Sequence, residues 1–246
     1  MTVLQGTRSV LFLTQMYLMM PIMGIVFLPY MLLTPDGARF ACKTYARWTI
    51  WTARWMVGIR TEIRGTVPAD EVLVVAKHQS FFDIIVIFEA LPSSRFIMKR
   101  QLLYTPVIGQ YARRLGCIPV DRGKKGAAIK KMVQDVAAER REPGQLVIYP
   151  QGTRVAPGAR VPYKVGAGAL YDALQQTCYP VATNAGLFWP RTGLRRSPGL
   201  AVVEFLPPIP AGLPVPDFME RLEHEVETAS DRLMADAGFS TQREMA

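Results

Sequence analysis

Cysteine is scarce in this chain: three residues among 246, at 42, 117 and 178, with no CxxC pair. An odd count without clustered spacing argues against a secreted disulfide framework and fits a reducing compartment. Charge is also sparse, 20% of residues against 50% apolar, which excludes a disordered or low-complexity protein. No GxxxxGK(S/T), GxGxxG, GxSxG or HExxH occurs. Nucleotide hydrolysis, dinucleotide redox, nucleophile-elbow hydrolysis and zincin chemistry are thereby set aside, and no metal site is expected. No internal repeat or Ser/Gly linker divides the chain, and the proline-rich segment from Leu206 to Pro216 reads as an ordered connection.

Acidic residues are few relative to basic ones: 20 Asp and Glu against 29 Lys and Arg, a net charge of +9 that favours an anionic partner. The imbalance is regional. Residues 95 to 131 carry ten bases and only Asp121, whereas from 204 onward nine acids face three bases. A nucleic-acid coat would more often keep a basic tail, so the segregation points to one positive face beside a solvated acidic helix, with no nucleic acid expected.

From Ser9 to Pro35 the chain has 27 residues without a charge. As a helix this run would reach about 40 Å, enough for a hydrocarbon core of about 30 Å. It is too long for a signal peptide and ends in the turn Thr34-Pro35-Asp36-Gly37. Pro21 and Pro29 are expected to interrupt it. The next segment, Ala38 to Gly58, places Lys43, Arg47 and Arg54 on one helix face and Trp48, Trp51 and Trp55 on the adjoining one, as in a helix lying at a membrane interface. Residues 1–58 therefore read as a membrane-anchoring helical hairpin dipping into one leaflet, the alternatives being a single span or two helices packed on a soluble core, and 59–246 as the second unit.

In that second unit, apolar β-rich runs at Ile59–Ile63, Glu71–Ala76, Arg95–Met98, Gly116–Val120, Gln145–Tyr149, Tyr179–Thr183 and Leu200–Leu206 alternate with helix-like stretches at Ser80–Leu91, Thr105–Leu115, Lys125–Arg141 and Pro162–Gln175. The expectation is an α/β fold with a central mixed, largely parallel sheet flanked by helices. A last helix, Asp217–Ala237, carries the stripe Phe218, Leu222, Val226, Ala229 and Leu233, with Asp217 and Glu220 at capping spacing, and reads as structural.

Four clusters carry polar chemistry or its framework. His78 and Asp83 follow the second strand; five residues apart on a helix they would diverge, but Ser80 as N-cap would start the helix after His78 and let the two side chains meet. An imidazole held by a carboxylate suits a general base; the alternative is that Asp83 only caps the helix and His78 is a loop residue. The run Gly116-Cys117-Ile118-Pro119-Val120-Asp121-Arg122 delivers Arg122 at a strand end, either for a phosphate or as a surface Arg. Tyr149-Pro150-Gln151-Gly152-Thr153-Arg154 offers a loop whose glycine admits close backbone approach and whose Thr153 and Arg154 are donors. Tyr179 to Asn184 reads as packing, and Phe188, Trp189 and Pro190 either line an acyl groove or fill the core.

Order and spacing of these four blocks resemble the glycerolipid acyltransferase superfamily, specifically the 1-acylglycerol-3-phosphate (lysophosphatidate) acyltransferase family. Its blocks are N/K-H-x4-D, G-x-I-P-V/F-x-R, F/Y-P-E-G-T-R and V/I-P-V, and the likeness covers about 58 to 210. The resemblance implies transfer of a fatty acyl group from acyl-CoA or acyl carrier protein to the free hydroxyl of 1-acylglycerol 3-phosphate, without a further cofactor. In that scheme His78 is the base, Asp83 orients it, and Arg122, Gln151, Gly152, Thr153, Arg154 and Lys99 are acceptor-binding candidates. The usual Glu of the third block is Gln151 here, so no role requiring a carboxylate carries over to it. Partners implied are lysophosphatidate, an acyl thioester, anionic membrane lipid and acyl carrier protein, at the cytoplasmic face of the inner membrane. The competing readings are the same chemistry on glycerol 3-phosphate or a lyso-aminolipid, and a non-catalytic basic membrane module.

Overall fold

A computed structural model of the chain describes residues 3–121, 125–138 and 144–239. All seven apolar runs form strands: β1 (Ile59–Arg64), β2 (Leu73–Ala76), β3 (Arg95–Lys99), β4 (Ile118–Val120), β5 (Leu146–Ile148), β6 (Cys178–Thr183) and β7 (Gly199–Phe205). They build one sheet in the order β1-β7-β6-β2-β5-β3-β4, in which every pair is parallel except β6 with β7. The expected mixed, largely parallel sheet is thus the one observed. Continuous apolar sequence in β2 and β5 fits their place inside the sheet, covered on both faces.

Eight α-helices lie among the described residues: α1 (Val3–Val26), α2 (Leu28–Leu33), α3 (Gly37–Thr52), α4 (Phe81–Ala90), α5 (Ile108–Arg114), α6 (Lys125–Ala138), α7 (Gly166–Leu174) and α8 (Val215–Asp236). Side chains of β2 alternate between two buried clusters. Val74 and Ala76 join α1, α3 and α4 on one face; Leu73 and Val75 join α6, α7 and α8 on the other. The apolar stripe of α8 is buried as expected. Its start differs: Pro214 is the N-cap and no side chain caps the helix, while Pro216 in the first turn lacks an N–H that would need a partner.

The N-terminal segment corrects several expectations. Pro21 lies inside α1 without ending it; the break falls at Phe27, and Pro29 sits in the first turn of α2, where its fixed φ is favourable. Helix α3 returns along α1: Trp48 Nε1 donates to Gln15 Oε1 at 2.8 Å, and the Tyr45 hydroxyl donates to the Met16 carbonyl at 3.2 Å. A π-turn at Ala53–Val57 and Gly58, at φ 77°, then turn the chain into β1. Lys43 and Arg47 differ: Lys43 is partly buried, whereas Arg47 stays exposed. Lys43 Nζ donates to the Glu89 carbonyl (3.0 Å) and Arg47 pairs with the Glu89 carboxylate (3.0 Å), because α3 packs beside α4. The outward face keeps Arg47, Arg54, Trp51 and Trp55.

Helix α1 is long and apolar enough to cross a membrane by length and composition. One side is exposed, through Leu4, Leu11, Leu18, Ile22 and Ile25; the other buries Phe12 and Met16 in the same cluster as Val74, Phe82 and Trp189. The buried cluster is therefore continuous across residue 58. The ten bases between 95 and 131 do not all share a surface: Arg95 is buried at the start of β3 and Lys131 pairs with Asp135.

Candidate active site

Strand register places the first and third blocks side by side. Leu73 pairs with Leu146 and Val75 with Ile148, so His78 and Gln151, each three residues further, stand at the same level beyond the carboxyl ends of β2 and β5. Arg95 pairs with Leu146 and Lys99 with Val120, which brings the ends of β3 and β4 to this edge. Parallel sheets collect their ligands beyond these ends.

Asp83 both completes the cap of α4 and meets His78. Ser80 is the N-cap of α4, its hydroxyl accepting from the Phe82 N–H at 3.0 Å. Asp83 Oδ2 accepts from the N–H groups of Gln79 (2.8 Å) and Ser80 (2.7 Å), while Oδ1 lies 3.0 Å from His78 Nδ1. The cap fixes the carboxylate, and the carboxylate fixes the imidazole. Asp83 is fully buried and the His78 side chain is 12% exposed, so the ring reaches solvent at one edge. With the carboxylate ionised, Nδ1 carries the proton and Nε2 is left to accept one.

The loop of the third block wraps His78. The Tyr149 ring stacks on the imidazole with centroids 4.1 Å apart, the Gln151 Oε1 accepts from the His78 N–H at 3.2 Å, and the Val155 N–H donates to the His78 carbonyl at 2.7 Å. Burial first, then the Asp83 carboxylate, holds the Tyr149 phenol well above its usual range, so it stays protonated.

Expected acceptor-binding residues divide into three groups. Gly152, at φ 67°, Thr153 and Arg154 continue the loop and are partly accessible; a Cβ on Gly152 would stand 2.7 Å from Lys164 Nζ. Lys99 is exposed at the end of β3. Gln151 is turned inward: it is 1% exposed, with Oε1 on His78 and Nε2 donating to Glu227 Oε1 at 3.3 Å, so it holds protein groups instead of offering its amide to a ligand. Arg122 lies outside the described residues; its strand is described to Val120.

Two residues at the site escaped the sequence reading. Glu227 of α8, a helix expected to be structural only, meets Lys77 in a buried ion pair, Nζ lying 2.6 and 2.5 Å from its two oxygens. A lysine directly after the apolar run Leu73–Ala76 signals a buried partner, since lysine is almost never fully buried unpaired. Lys164 is the other, a cation in contact with the Gly152 turn. A cavity of about 610 Å³, lined by Ile97, Val120, Ile129, Met132 and Tyr163, runs between the sheet and helices α6 and α7 and reaches Tyr149 and Gly152.

The remaining blocks pack. Asn184 joins β6 to β7 and α8 through Val202 N–H (2.8 Å) and the Leu233 carbonyl (3.1 Å). Trp189 is 2% exposed between Phe12 and Phe82 and fills the core instead of lining a groove. The three cysteines form no disulfide, and among the described residues no group of His, Cys, Asp and Glu could hold a metal ion.

The sequence profile of the Acyltransferase family matches residues 58–184, a span that contains all four blocks. A 1-acyl-sn-glycerol-3-phosphate acyltransferase of Pseudomonas aeruginosa is 28% identical over 251 residues, covering 99% of this chain and 96% of that protein. The human 1-acyl-sn-glycerol-3-phosphate acyltransferase alpha is 30% identical over 192 residues, covering 74% of this chain and 68% of its own. Among solved structures, the 1-acyl-sn-glycerophosphate acyltransferase of Thermotoga maritima superposes with a TM-score of 0.77 at 17% identity, over 94% of this chain and 98% of that one, which shows a shared fold.

Proposed function

The chain belongs to the acyltransferase family, and from that premise we propose that it transfers a fatty acyl group from acyl-CoA or acyl carrier protein to the free hydroxyl of a 1-acylglycerol 3-phosphate, forming phosphatidic acid. The observation that carries this reading is the 3.0 Å His78–Asp83 pair at the sheet edge, wrapped by the loop that ends in Gly152, Thr153 and Arg154. His78 Nε2 takes the hydroxyl proton as the acceptor oxygen attacks the thioester carbonyl. The carbon–sulfur bond then breaks, and the imidazolium returns its proton to the departing thiolate. Asp83 holds the productive tautomer and stabilises the imidazolium while it exists.

The acceptor phosphate is assigned to Gly152, Thr153 and Arg154 with Lys99 and Arg122, since guanidinium and backbone amides match phosphate oxygens. The apolar cavity beside Tyr149 suits an acyl chain in volume and lining. Association with the cytoplasmic face of the inner membrane is assigned to the exposed side of α1 with Trp51 and Trp55.

The test is free-thiol release from acyl-CoA, and from acyl carrier protein, with lysophosphatidate, glycerol 3-phosphate or a lyso-aminolipid as acceptor. Lysophosphatidate is expected to give the fastest release, and His78→Ala to lower it by about 10²–10⁴-fold while vesicle binding persists. Wild-type turnover in that variant overturns the assignment of the base; a faster rate with another acceptor overturns the substrate.

A further inference from the structure

We infer that Glu227 is a positioning residue for His78, and that Gln151 is neutral because the carboxylate of this site is delivered from α8 instead of from the loop. The inference rests on the acyl-transfer reading above. It concerns a buried group that the proposed chemistry does not itself use.

Glu227 is 3% exposed and Lys77 is 2% exposed. One buried cation thus faces one buried anion, at 2.5 Å. Glu227 Oε1 also accepts from the Tyr163 hydroxyl at 3.0 Å and from Gln151 Nε2 at 3.3 Å, and Arg160 Nη1 lies 3.5 Å from Oε2. Burial, then Glu227 itself, raises the Tyr163 phenol, so it remains a donor. Arg160 is half exposed and also pairs with Asp231 at 2.5 Å. Glu227 therefore holds both sides of the catalytic peptide. It fixes Lys77, the residue before His78, through the ion pair, and it orients the Gln151 amide whose oxygen accepts the His78 N–H.

With a carboxylate at 227, it is a neutral amide at position 151 that serves in both directions. Its oxygen accepts from His78 and its nitrogen donates to Glu227. A Glu at 151, the residue usual in the resembling family, would still accept from His78, but would set two carboxylates about 3.3 Å apart around a single buried ammonium. Charge balance makes positions 151 and 227 one unit: one carboxylate and one amide, in either order.

The experiment compares wild type, Gln151→Glu, Glu227→Gln, the exchanged double variant and Glu227→Asp, as full chains in detergent, by steady-state thiol release from acyl-CoA with lysophosphatidate and by thermal melting. Each single exchange is expected to lower kcat by about 10- to 100-fold with the acceptor KM little changed, since the site is displaced and not emptied. The double variant is expected to recover most of the loss. Glu227→Asp keeps the charge but withdraws it from Gln151 and from Lys77, so kcat falls while the melting temperature drops by less than in Glu227→Gln; this arm remains informative if a single exchange fails to fold. Gln151→Glu at wild-type kcat, a double variant no better than its parents, or Glu227→Asp at wild-type kcat each overturns the inference alone, provided wild type is active. An inactive wild type sinks the acyl-transfer reading and this inference with it.

Discussion

Asp83→Asn separates the electrostatic part of the site from its architecture. The carboxylate accepts three N–H groups: two buried backbone donors on Oδ2, at 2.8 and 2.7 Å, and the imidazole on Oδ1. Asparagine keeps the shape but has one oxygen and one NH₂, so the two sides compete for the oxygen. If the oxygen turned to His78, two buried N–H groups would face a donor, at about 1–3 kcal/mol each. If it stays on Gln79 and Ser80, only the imidazole must adapt, by accepting at Nδ1 and moving its proton to Nε2. The second arrangement wins by roughly 2 kcal/mol or more. It leaves no lone pair on Nε2 for the substrate proton, so kcat is expected to fall by about 10⁴-fold, the scale of a wrong-tautomer base. Stability changes less: exchanging a charged for a neutral acceptor costs about 1 kcal/mol per backbone bond, so about 2 of the 5–15 kcal/mol typical of a domain. Thiol release at saturating acyl-CoA and acceptor gives the first quantity and a thermal melt gives the second. A folded Asp83→Asn variant within tenfold of wild-type kcat would refute the base assignment.

Gly152→Ala forces a side chain into a φ of 67° and brings Cβ to 2.7 Å from the flexible end of Lys164. About 1–2 kcal/mol of stability should be lost, with acceptor KM raised about tenfold and kcat at saturation retained; an unchanged KM would reduce Gly152 to a turn residue. Phe12→Ala removes a fully buried ring set edge-on to Trp189 at 5.3 Å and should cost about 3–5 kcal/mol in a detergent melt. Leu11→Asn with Leu18→Asn, both more than half exposed, should leave that melt unchanged and weaken flotation with phospholipid vesicles. A melt insensitive to Phe12 would separate α1 from the core.

The strands were legible because buried parallel strands are written as unbroken apolar runs, such as Leu73–Ala76 and Leu146–Ile148, that need no partner to be recognised. The His78–Asp83 pair was legible because its geometry is local: Ser80 as N-cap is enough to place both. What depended on strand order or helix docking was not. Glu227 stands 150 residues from Lys77 on a helix that carries other acids, and nothing in its own neighbourhood distinguishes it from Glu220 or Glu223. Lys43 looked like a membrane-facing cation for the same reason; only the packing of α3 beside α4 supplies the Glu89 carbonyl. Gln151 was legible as a departure from pattern, but its meaning lay in a second residue far along the chain.

One line of ring contacts ties the proposed membrane element to the proposed chemistry. Phe12 of α1 meets Trp189, Trp189 stacks on Phe82 at 5.3 Å, and Phe82 is the residue before Asp83, its own N–H held by the Ser80 cap. Helix α1 is therefore linked through Trp189 to the first turn of α4, while its other side stays exposed. A tether through a flexible linker would let the site sample many heights above a bilayer. A helix whose inner face is buried in the same core cluster as Phe82 and Trp189 would allow only one, set by how deep its outer face sat. Removing residues 1–58 would expose Phe82 and Trp189 together, and the energetic scale of two large aromatics losing their cover, about 1.5–3 kcal/mol or more each, is a substantial part of a domain's stability. At Gly58 the secondary structure changes, while the buried cluster includes residues of the helices before it.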